Sequence, residues 1–342
     1  MAVMTARRTG VQSRVRRRGV AILACLTAGL GALLVLPATA TADGPITPTA
    51  TDYLARITHV PAGIQAKVTD GYLNLWMRVP PTEDVTVRDY VGAPWVRFSP
   101  AGVAINQNSE EYYLSQVPVP ATVPTRLTRP PYPPPHWVKV SSGHSYEWRE
   151  GRLHALANIA LAPGQSYLGK WKLPVVVNGR HASIIGGIWH RGAPSVVWFW
   201  PVLVLLTCAL AAWRVRSAEL DRGLSRAIAL LLLVLVAVGM GGKYLHGSPD
   251  VTAGNVLLLL LTLAVLGAVA GRLLGGRSGG PLLLLTAVIA LWAGLTLLPV
   301  LTHGYALVVL PLFLVRVIAA ALLGGALSLV LFAVRMLDRV AT

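Results

Sequence analysis

Five apolar runs in the C-terminal half constrain this chain more than any other feature. They cover residues 196–213, 227–241, 256–274, 282–301 and 306–334. A helix needs about 20 apolar residues to cross the roughly 30 Å hydrocarbon core of a bilayer, and four of the runs are close to or above that length. The run at 227–241 is the shortest. The pattern predicts an integral membrane protein with a five-helix transmembrane domain in residues 193–342.

Arginines are concentrated in alternate connectors between these runs. Those on one predicted side of the membrane are Arg214, Arg216, Arg222, Arg226, Arg272, Arg277, Arg335 and Arg339. The connectors on the other side hold Lys243 as their one lysine or arginine. Because basic residues in short loops favour the cytoplasm, this asymmetry predicts that residues 43–192 are extracytoplasmic and that Thr342 is cytoplasmic.

The N-terminus has the layout of a secretory signal peptide. Six arginines before residue 19 precede an apolar stretch at 19–36, and the small residues Ala40, Thr41 and Ala42 follow. This pattern predicts cleavage before Asp43. The alternative is an uncleaved anchor helix, since the apolar stretch is just long enough to span a bilayer.

The formal net charge of +16 could suggest a nucleic-acid-binding protein. Much of it belongs to the predicted signal peptide and to the arginines that flank the spans, so topology explains it. The expected partners are therefore the lipid bilayer and an extracytoplasmic protein or ligand, and no nucleic acid. Cys25 and Cys208 are the two cysteines, one in the predicted signal and one in a predicted span. The exported domain is thus predicted to fold without a disulfide.

Residues 43–192 have the pattern of a β domain. Short runs with near period-2 alternation predict strands at 64–68, 72–79, 85–89, 95–98, 137–140, 144–148, 171–177 and 184–189. In the second run, Leu73, Leu75 and Met77 are expected to face one side and Asn74, Trp76 and Arg78 the other. Asn178-Gly179 is a hairpin signal. The proline-rich segment 118–135 is predicted to run as extended surface chain. The expected fold is an all-β, sandwich-like domain.

Two segments carry a resemblance to exported actinobacterial membrane proteins. The stretch VRDYVGAPWVR at 87–97 resembles that family's V-x-G-Y-x-G-E-P-Y-L-R, and PAGV at 100–103 resembles its P-x-G-V. The stretch YEWREGRLHAL at 146–156 is similar to its W-H-D-H-R-x-H-W-M segment. The resemblance implies no activity. Here the motif's first two histidines are Arg149 and Gly151, its Asp is Glu150, and the acid of G-E-P-Y is Ala93.

The resemblance also singles out residues with an expected structural role. The segment 146–156 retains Trp148, Arg152 and His154, and the earlier motif retains Arg97. We expect Trp148 to be buried, and the two guanidinium groups to tie loops to nearby carbonyls or acids. The adjacent acids Glu110 and Glu111 are predicted to lie in solvated turns.

Histidines are the candidate metal ligands of this chain, because neutral imidazole binds zinc and copper. His144 and His154 are weak candidates, on the expectation that residues 148–152 form a hairpin turn that brings them together. They have no neighbouring thiol, and neither H-x-H nor i,i+4 spacing occurs. We therefore predict no metal site, no cofactor and no catalytic residue, since no catalytic motif occurs either.

Arg316 is the exceptional residue of the predicted spans. An intramembrane arginine is costly and invites a functional interpretation, such as binding an anionic headgroup or pairing with an acid of the outer domain. The alternative is that the run breaks at Pro311 or begins deeper than 306, which would let Arg316 snorkel or contact backbone carbonyls.

Two functional classes follow. The first is a non-enzymatic cell-envelope protein whose exported β domain binds a ligand or partner. The second is a transporter or a copper- or metal-handling membrane component. The absence of Asp and Glu from the predicted spans disfavours a carboxylate relay and favours the first class.

Overall fold

The computed structural model describes residues 49–71, 73–116, 121–154, 165–215, 217–247, 249, 253–275 and 279–340. The predicted signal peptide, its cleavage site and Cys25 lie outside the described residues. Within the described residues, the β domain comes first and the long helices follow residue 199.

The described residues form twelve strands. They are β1 Ala50–Thr51, β2 Tyr53–His59, β3 Gln65–Val68, β4 Asn74–Arg78, β5 Val85–Arg88, β6 Pro94–Ser99, β7 Gly102–Asn106, β8 Trp137–Ser141, β9 Ser145–Arg149, β10 Tyr167–Val177, β11 Arg180–His190 and β12 Tyr305–Ala306. Seven form an antiparallel sheet in the order β2-β11-β10-β5-β6-β7-β8, and three form a second in the order β3-β4-β9. The short strands β1 and β12 pair with each other.

Both larger sheets contribute to one hydrophobic core. Leu75 and Met77 of the smaller sheet and Val87, Phe98 and Leu173 of the larger one are fully buried in it. Their period-2 spacing along each strand is what directs them to one face of a pleated sheet. The predicted N-terminal β region is confirmed.

Local turn chemistry was also predicted well. Asn178 and Gly179 have φ angles of 48° and 79° and connect β10 to β11. Positive φ at both central residues is the requirement of the two-residue hairpin that Asn-Gly favours.

Trp76 lies opposite Lys67 and Glu147 of the neighbouring strands, on the other side of β4 from Leu75 and Met77, as predicted. It is nevertheless only 7% exposed, and the Arg78 guanidinium lies 5.3 Å from its ring centroid.

One detail of the predicted β domain is wrong. The segment 118–135 was expected to be extended throughout, but it contains a helical turn at Thr125–Thr128 that buries Leu127. Residues 117–120 of this region are not described.

The described residues form seven α-helices. They are α1 Glu110–Leu114, α2 Thr125–Thr128, α3 Trp200–Arg214, α4 Ala218–Gly247, α5 Ala253–Leu274, α6 Gly280–Leu297 and α7 Leu312–Val340. Four segments are long and apolar enough to cross a membrane: Val196–Arg214, Ala218–Gly247, Gly280–Leu301 and Leu312–Leu337. The chain is a multi-pass membrane protein. A fifth span at 256–274 stays a prediction, and α5 contains a shorter apolar stretch at Leu259–Leu274.

Two predicted span boundaries differ from the helices. The second run, 227–241, is the middle of a 30-residue helix whose first turn carries Glu219 and Asp221, where acids suit the helix dipole. The last run was expected to begin at 306, but Tyr305–Ala306 is a strand and the helix begins at Leu312. Pro311 immediately precedes that helix, a position where its missing N–H costs nothing.

Helix α7 is the centre of the bundle. Helices α3, α4 and α6 all pack against it. In its most apolar stretch 67% of the residues are buried, whereas the corresponding value for Val196–Arg214 is 6%. Small residues permit these close approaches: a Cβ at Gly324 would lie 3.0 Å from the Val202 backbone.

Candidate functional site

Three carboxylates are buried in the β domain where the turn after β5, helix α1 and the segment after β9 meet. Asp89, Glu111 and Glu150 are each at most 2% exposed. We call these residues, together with Arg152, the acidic cluster. A buried carboxylate is costly unless it is paired or hydrogen-bonded, so each member must be accounted for.

Glu150 is the best satisfied of the three. Arg152 Nε donates to Glu150 Oε1 at 2.6 Å and Arg152 Nη2 donates to Oε2 at 2.9 Å, which is a bidentate fork. The Trp148 indole N–H also donates to Oε2, at 3.0 Å. Trp148 is 4% exposed. The buried tryptophan and the guanidinium fork therefore adopt the contacts expected from the sequence.

Arg152 also connects two segments of the β domain. Its Nη1 donates to the carbonyl of Arg88 at 3.0 Å, and its guanidinium carbon lies 4.9 Å from the centroid of the Tyr90 ring. A Cβ at Gly151 would lie 2.3 Å from the Tyr90 hydroxyl oxygen. The ring of Tyr90 thus takes the space that a side chain at 151 would need.

Asp89 is satisfied by its own turn and by helix α1. Its Oδ1 accepts from the backbone N–H of Ala93 at 2.7 Å, and its Oδ2 accepts from the Ser109 hydroxyl at 2.7 Å. Ser109 in turn caps α1 by accepting from the backbone N–H of Glu111 at 3.3 Å. This chain of contacts fixes α1 on the sheet.

Glu111 is the exception. Its Oε2 is buried and has no hydrogen-bond partner within the part of the chain that is described. Burial raises the pKa of Glu111 to about 8, and repulsion from Glu150 adds to this while Arg152 opposes it. Burial therefore favours the protonated form of this side chain. The expectation that Glu110-Glu111 forms a solvated turn is wrong for Glu111, because tertiary contacts bury it.

Arg97, the other arginine of the motifs, lies at the surface. Its Nη2 is 2.5 Å from Asp84 Oδ2, and the two side chains are 46% and 41% exposed. The contact ties the start of β5 to β6, as expected of a loop-fixing arginine.

The expected meeting of His144 and His154 lacks its geometric basis. Strand β9 runs from Ser145 to Arg149 and continues into a 3-10 turn at Gly151–Leu153, so residues 148–152 are not a hairpin turn. His144 precedes the strand and His154 follows the turn. No group of three or more His, Cys, Asp or Glu in the described segments is placed to hold a metal ion.

A second set of contacts joins the β domain to the helices, and we call it the junction. Strand β1 pairs with β12, which lies in the loop between α6 and α7, with Ala50 opposite Ala306 and Thr51 opposite Tyr305. The backbone N–H of Leu307 donates to the Thr49 carbonyl at 2.7 Å. The ladder thus joins the first described residues of the β domain to the loop before α7.

Side chains extend the junction to both helix loops that face the β domain. The Thr49 hydroxyl donates to the carbonyl of Thr296 in α6 at 2.6 Å. His303 Nδ1 lies 3.0 Å from Asp52 Oδ1, and Lys67 Nζ donates to the carbonyl of His246, near the end of α4, at 2.6 Å. The domain is therefore held at several points around the helix ends.

Arg316 lies near the same end of the bundle. It is the fifth residue of α7, its Nε donates to the Val300 carbonyl at 3.3 Å, and its guanidinium carbon lies 5.6 Å from the Trp198 ring centroid. These contacts favour the second of the two alternatives, in which the helix begins deeper and the arginine contacts a backbone carbonyl near its end.

The opposite end of the bundle holds a buried ion pair that the sequence analysis missed. Arg335 Nε lies 3.2 Å from Asp221 Oδ2, and Arg335 Nη1 donates to the Ala212 carbonyl at 3.2 Å. This arrangement ties together the end of α3, the start of α4 and the end of α7. An acid does lie in a candidate span, because α4 extends beyond the apolar run used to predict it.

Comparison with family models, with curated proteins and with solved structures finds no match to this chain. The resemblance to exported actinobacterial membrane proteins therefore remains a prediction that rests on the two motifs.

Proposed function

We propose that this chain is a non-enzymatic cell-envelope protein whose extracytoplasmic β domain binds a ligand or a protein partner while the helices hold that domain in a fixed orientation at the membrane surface. The junction is the observation that carries the proposal. A domain attached by a linker alone could swing freely. Here a backbone ladder and the contacts of Asp52 and Lys67 hold it against two helix loops.

The orientation follows from the arginine asymmetry together with the helix ends. Arg214, Arg222, Arg272 and Arg335 lie at or near the ends of helices that are opposite to the junction. Basic residues near span ends favour the cytoplasmic side, so the β domain is assigned to the other side. Helices α4 and α6 both end at the junction, so α6 begins at the opposite end of the bundle. Helix α5 lies between them in the chain and must therefore cross from the junction end to the opposite end, which makes it a fifth span in this topology.

Two of the three carboxylates of the acidic cluster, Glu150 and Asp89, are engaged in ways that suit a structural role rather than catalysis. Glu150 is held by Arg152 and Trp148, and Asp89 is held by its own turn and Ser109. Such closed contacts stabilise a scaffold. A carboxylate relay through the helices, as a transporter could use, is not favoured either: the buried acid of α4, Asp221, is held by Arg335.

Thiol labelling tests the orientation on which the proposal depends. Two variants are made in a background with Cys25→Ser and Cys208→Ser. One carries a single cysteine at the exposed Ser142, in the turn between β8 and β9, and the other carries a single cysteine at Glu219, in the first turn of α4. A membrane-impermeant maleimide should label Ser142→Cys in intact cells and Glu219→Cys after permeabilisation. The opposite pattern would place the β domain in the cytoplasm and remove the proposal.

A further inference from the structure

The outer face of strands β2, β10 and β11 is basic and aromatic. These three strands contain no Asp or Glu, but they contain Arg56, His59, Lys170, Lys172, Arg180, His181 and His190. Arg56, Lys170 and Lys172 are exposed, and neither Arg56 nor Lys170 forms an ion pair within the described chain. A concentration of one charge without counter-charges indicates a surface for an anionic partner.

A groove of about 490 Å³ lies on this face, and we call it the sheet groove. Its lining residues are Thr58, His59, Tyr167, Lys170, Ile185, Gly186, Gly187 and Trp189. The register places Lys170 and Arg56 on either side of Gly187. A Cβ at Gly187 would lie 2.8 Å from Trp189 Cη2 and from Tyr167 Cε2. The missing side chain lets the two aromatic rings lie close against the sheet.

Arg56 is not a lining residue of the sheet groove but lies beside it, next to Gly187 and Trp189, and its guanidinium keeps its hydrogen-bond donors available. The guanidinium carbon of Arg56 lies 5.9 Å from the Trp189 ring centroid, and the rings of Tyr167 and Trp189 are 5.3 Å apart. Stacking on a ring restrains a guanidinium without using its N–H donors, which remain free for a planar oxyanion such as phosphate. Lys170 contributes a second positive charge to the groove.

The groove lies near the membrane. Trp189 is seven residues before Val196, where the first candidate span begins, so at an extended-chain length of about 3.3 Å per residue the separation is at most roughly 23 Å. The backbone N–H of Arg191 donates to Asp52, whose side chain contacts His303 in the loop before α7. Tryptophan and tyrosine are side chains typical of the membrane–water interface.

We propose that the sheet groove binds the phosphate headgroup of an anionic phospholipid from the leaflet that the β domain faces. This proposal names the class of ligand that the β domain binds. It rests on the proposed function in one respect, which is that the orientation of the β domain decides which leaflet supplies the lipid. The two basic side chains supply the charge complementarity, and Tyr167 and Trp189 supply the interfacial contact.

Native mass spectrometry of the purified full-length chain tests the proposal. The chain in detergent is titrated with phosphatidylglycerol or with phosphatidylcholine, and bound lipids are counted. We expect Lys170→Gln and Arg56→Gln each to lose one equivalent of tightly bound phosphatidylglycerol. The matched control Lys139→Gln, an exposed lysine on β8 at the far edge of the same sheet, should retain it. Phosphatidylcholine binding should not change in any variant.

Two results would overturn the proposal. One is equal phosphatidylglycerol retention by all four chains. The other is competition by free glycerol phosphate at the same concentration as the lipid, which would identify a soluble phosphate as the ligand. Both are measured on purified protein, so they are independent of the labelling pattern that tests the orientation.

Discussion

Two arginine–carboxylate pairs in the β domain differ in their surroundings, although both arginines belong to the segments that carry the resemblance. The Arg152 and Glu150 side chains are 12% and 0% exposed, and Trp148 and Tyr90 enclose them. The Arg97 and Asp84 side chains are 46% and 41% exposed. The comparison shows that two arginines singled out by the same resemblance can differ in importance. The core requires the Arg152 pair, whereas water can replace the lost partner in the exposed Arg97 pair.

Breaking the buried pair should have the largest effect. Replacing Arg152 with Met leaves Glu150 buried without its counter-charge, beside the already unfavourable Glu111. Removing one partner of a buried ion pair typically costs about 3–5 kcal/mol. Chemical unfolding of the purified full-length chain measures this loss. The double variant Arg152→Met/Glu150→Leu is the control, and it should recover part of the stability. A loss below about 1 kcal/mol in the single variant would show that water reaches Glu150.

The pH dependence of Glu111 should give an intermediate effect. Folding raises its pKa from 4.5 to about 8, so between these values the folded chain holds a proton that the unfolded chain releases. Stability contributed by this group therefore falls as pH rises from about 4.5 to about 8. Glu111→Gln, which mimics the protonated form, should be more stable than the parent at pH 8 and equal to it near pH 4.

Thermal unfolding at pH 4, 6 and 8 measures that difference. One pKa unit corresponds to about 1.4 kcal/mol, so the gap at pH 8 should be on the order of a few kcal/mol. The adjacent Glu110→Gln is the matched control, and its effect should be smaller because Glu110 is less buried. A pH-independent gain in Glu111→Gln would mean that folding leaves the pKa of this carboxyl group unchanged, which would contradict the raised pKa.

Breaking the exposed pair should have the smallest effect. Arg97→Ala removes a contact that solvent screens, and surface ion pairs of this kind typically contribute about 0.2–1 kcal/mol. The same chemical unfolding assay applies, in low salt and in 0.5 M salt, with Lys139→Ala as a control for loss of a surface charge. A loss as large as that of Arg152→Met would remove the distinction between the two pairs.

The sequence predicted local features well because they depend on neighbouring residues. Period-2 alternation located eight strands, and Asn178-Gly179 located a hairpin. It did not predict β2, β7 or the pairing of β1 with β12. Thr49 and Thr296 are 247 positions apart, and nothing local marks either as a junction residue. Glu111 was placed in solvent because its neighbour Glu110 is also acidic, whereas its burial comes from the turn after β5 and the segment after β9.

The most direct test of the account is a cross-link across the junction. Ala50 and Ala306 lie opposite each other in the ladder. The neighbouring pair, Thr49 and Leu307, is joined by a backbone hydrogen bond, so Ala50 and Ala306 form the non-hydrogen-bonded type of antiparallel pair. The Cα separation of such pairs, about 4.5 Å, permits a disulfide. With Cys25 and Cys208 replaced by Ser, Ala50→Cys/Ala306→Cys should lose both thiols to mild oxidation in membranes, as measured by a maleimide gel shift. His59→Cys/Ala306→Cys, with one cysteine at the far end of β2, should keep both. Two free thiols in the first pair would contradict a β domain fixed to the helix ends.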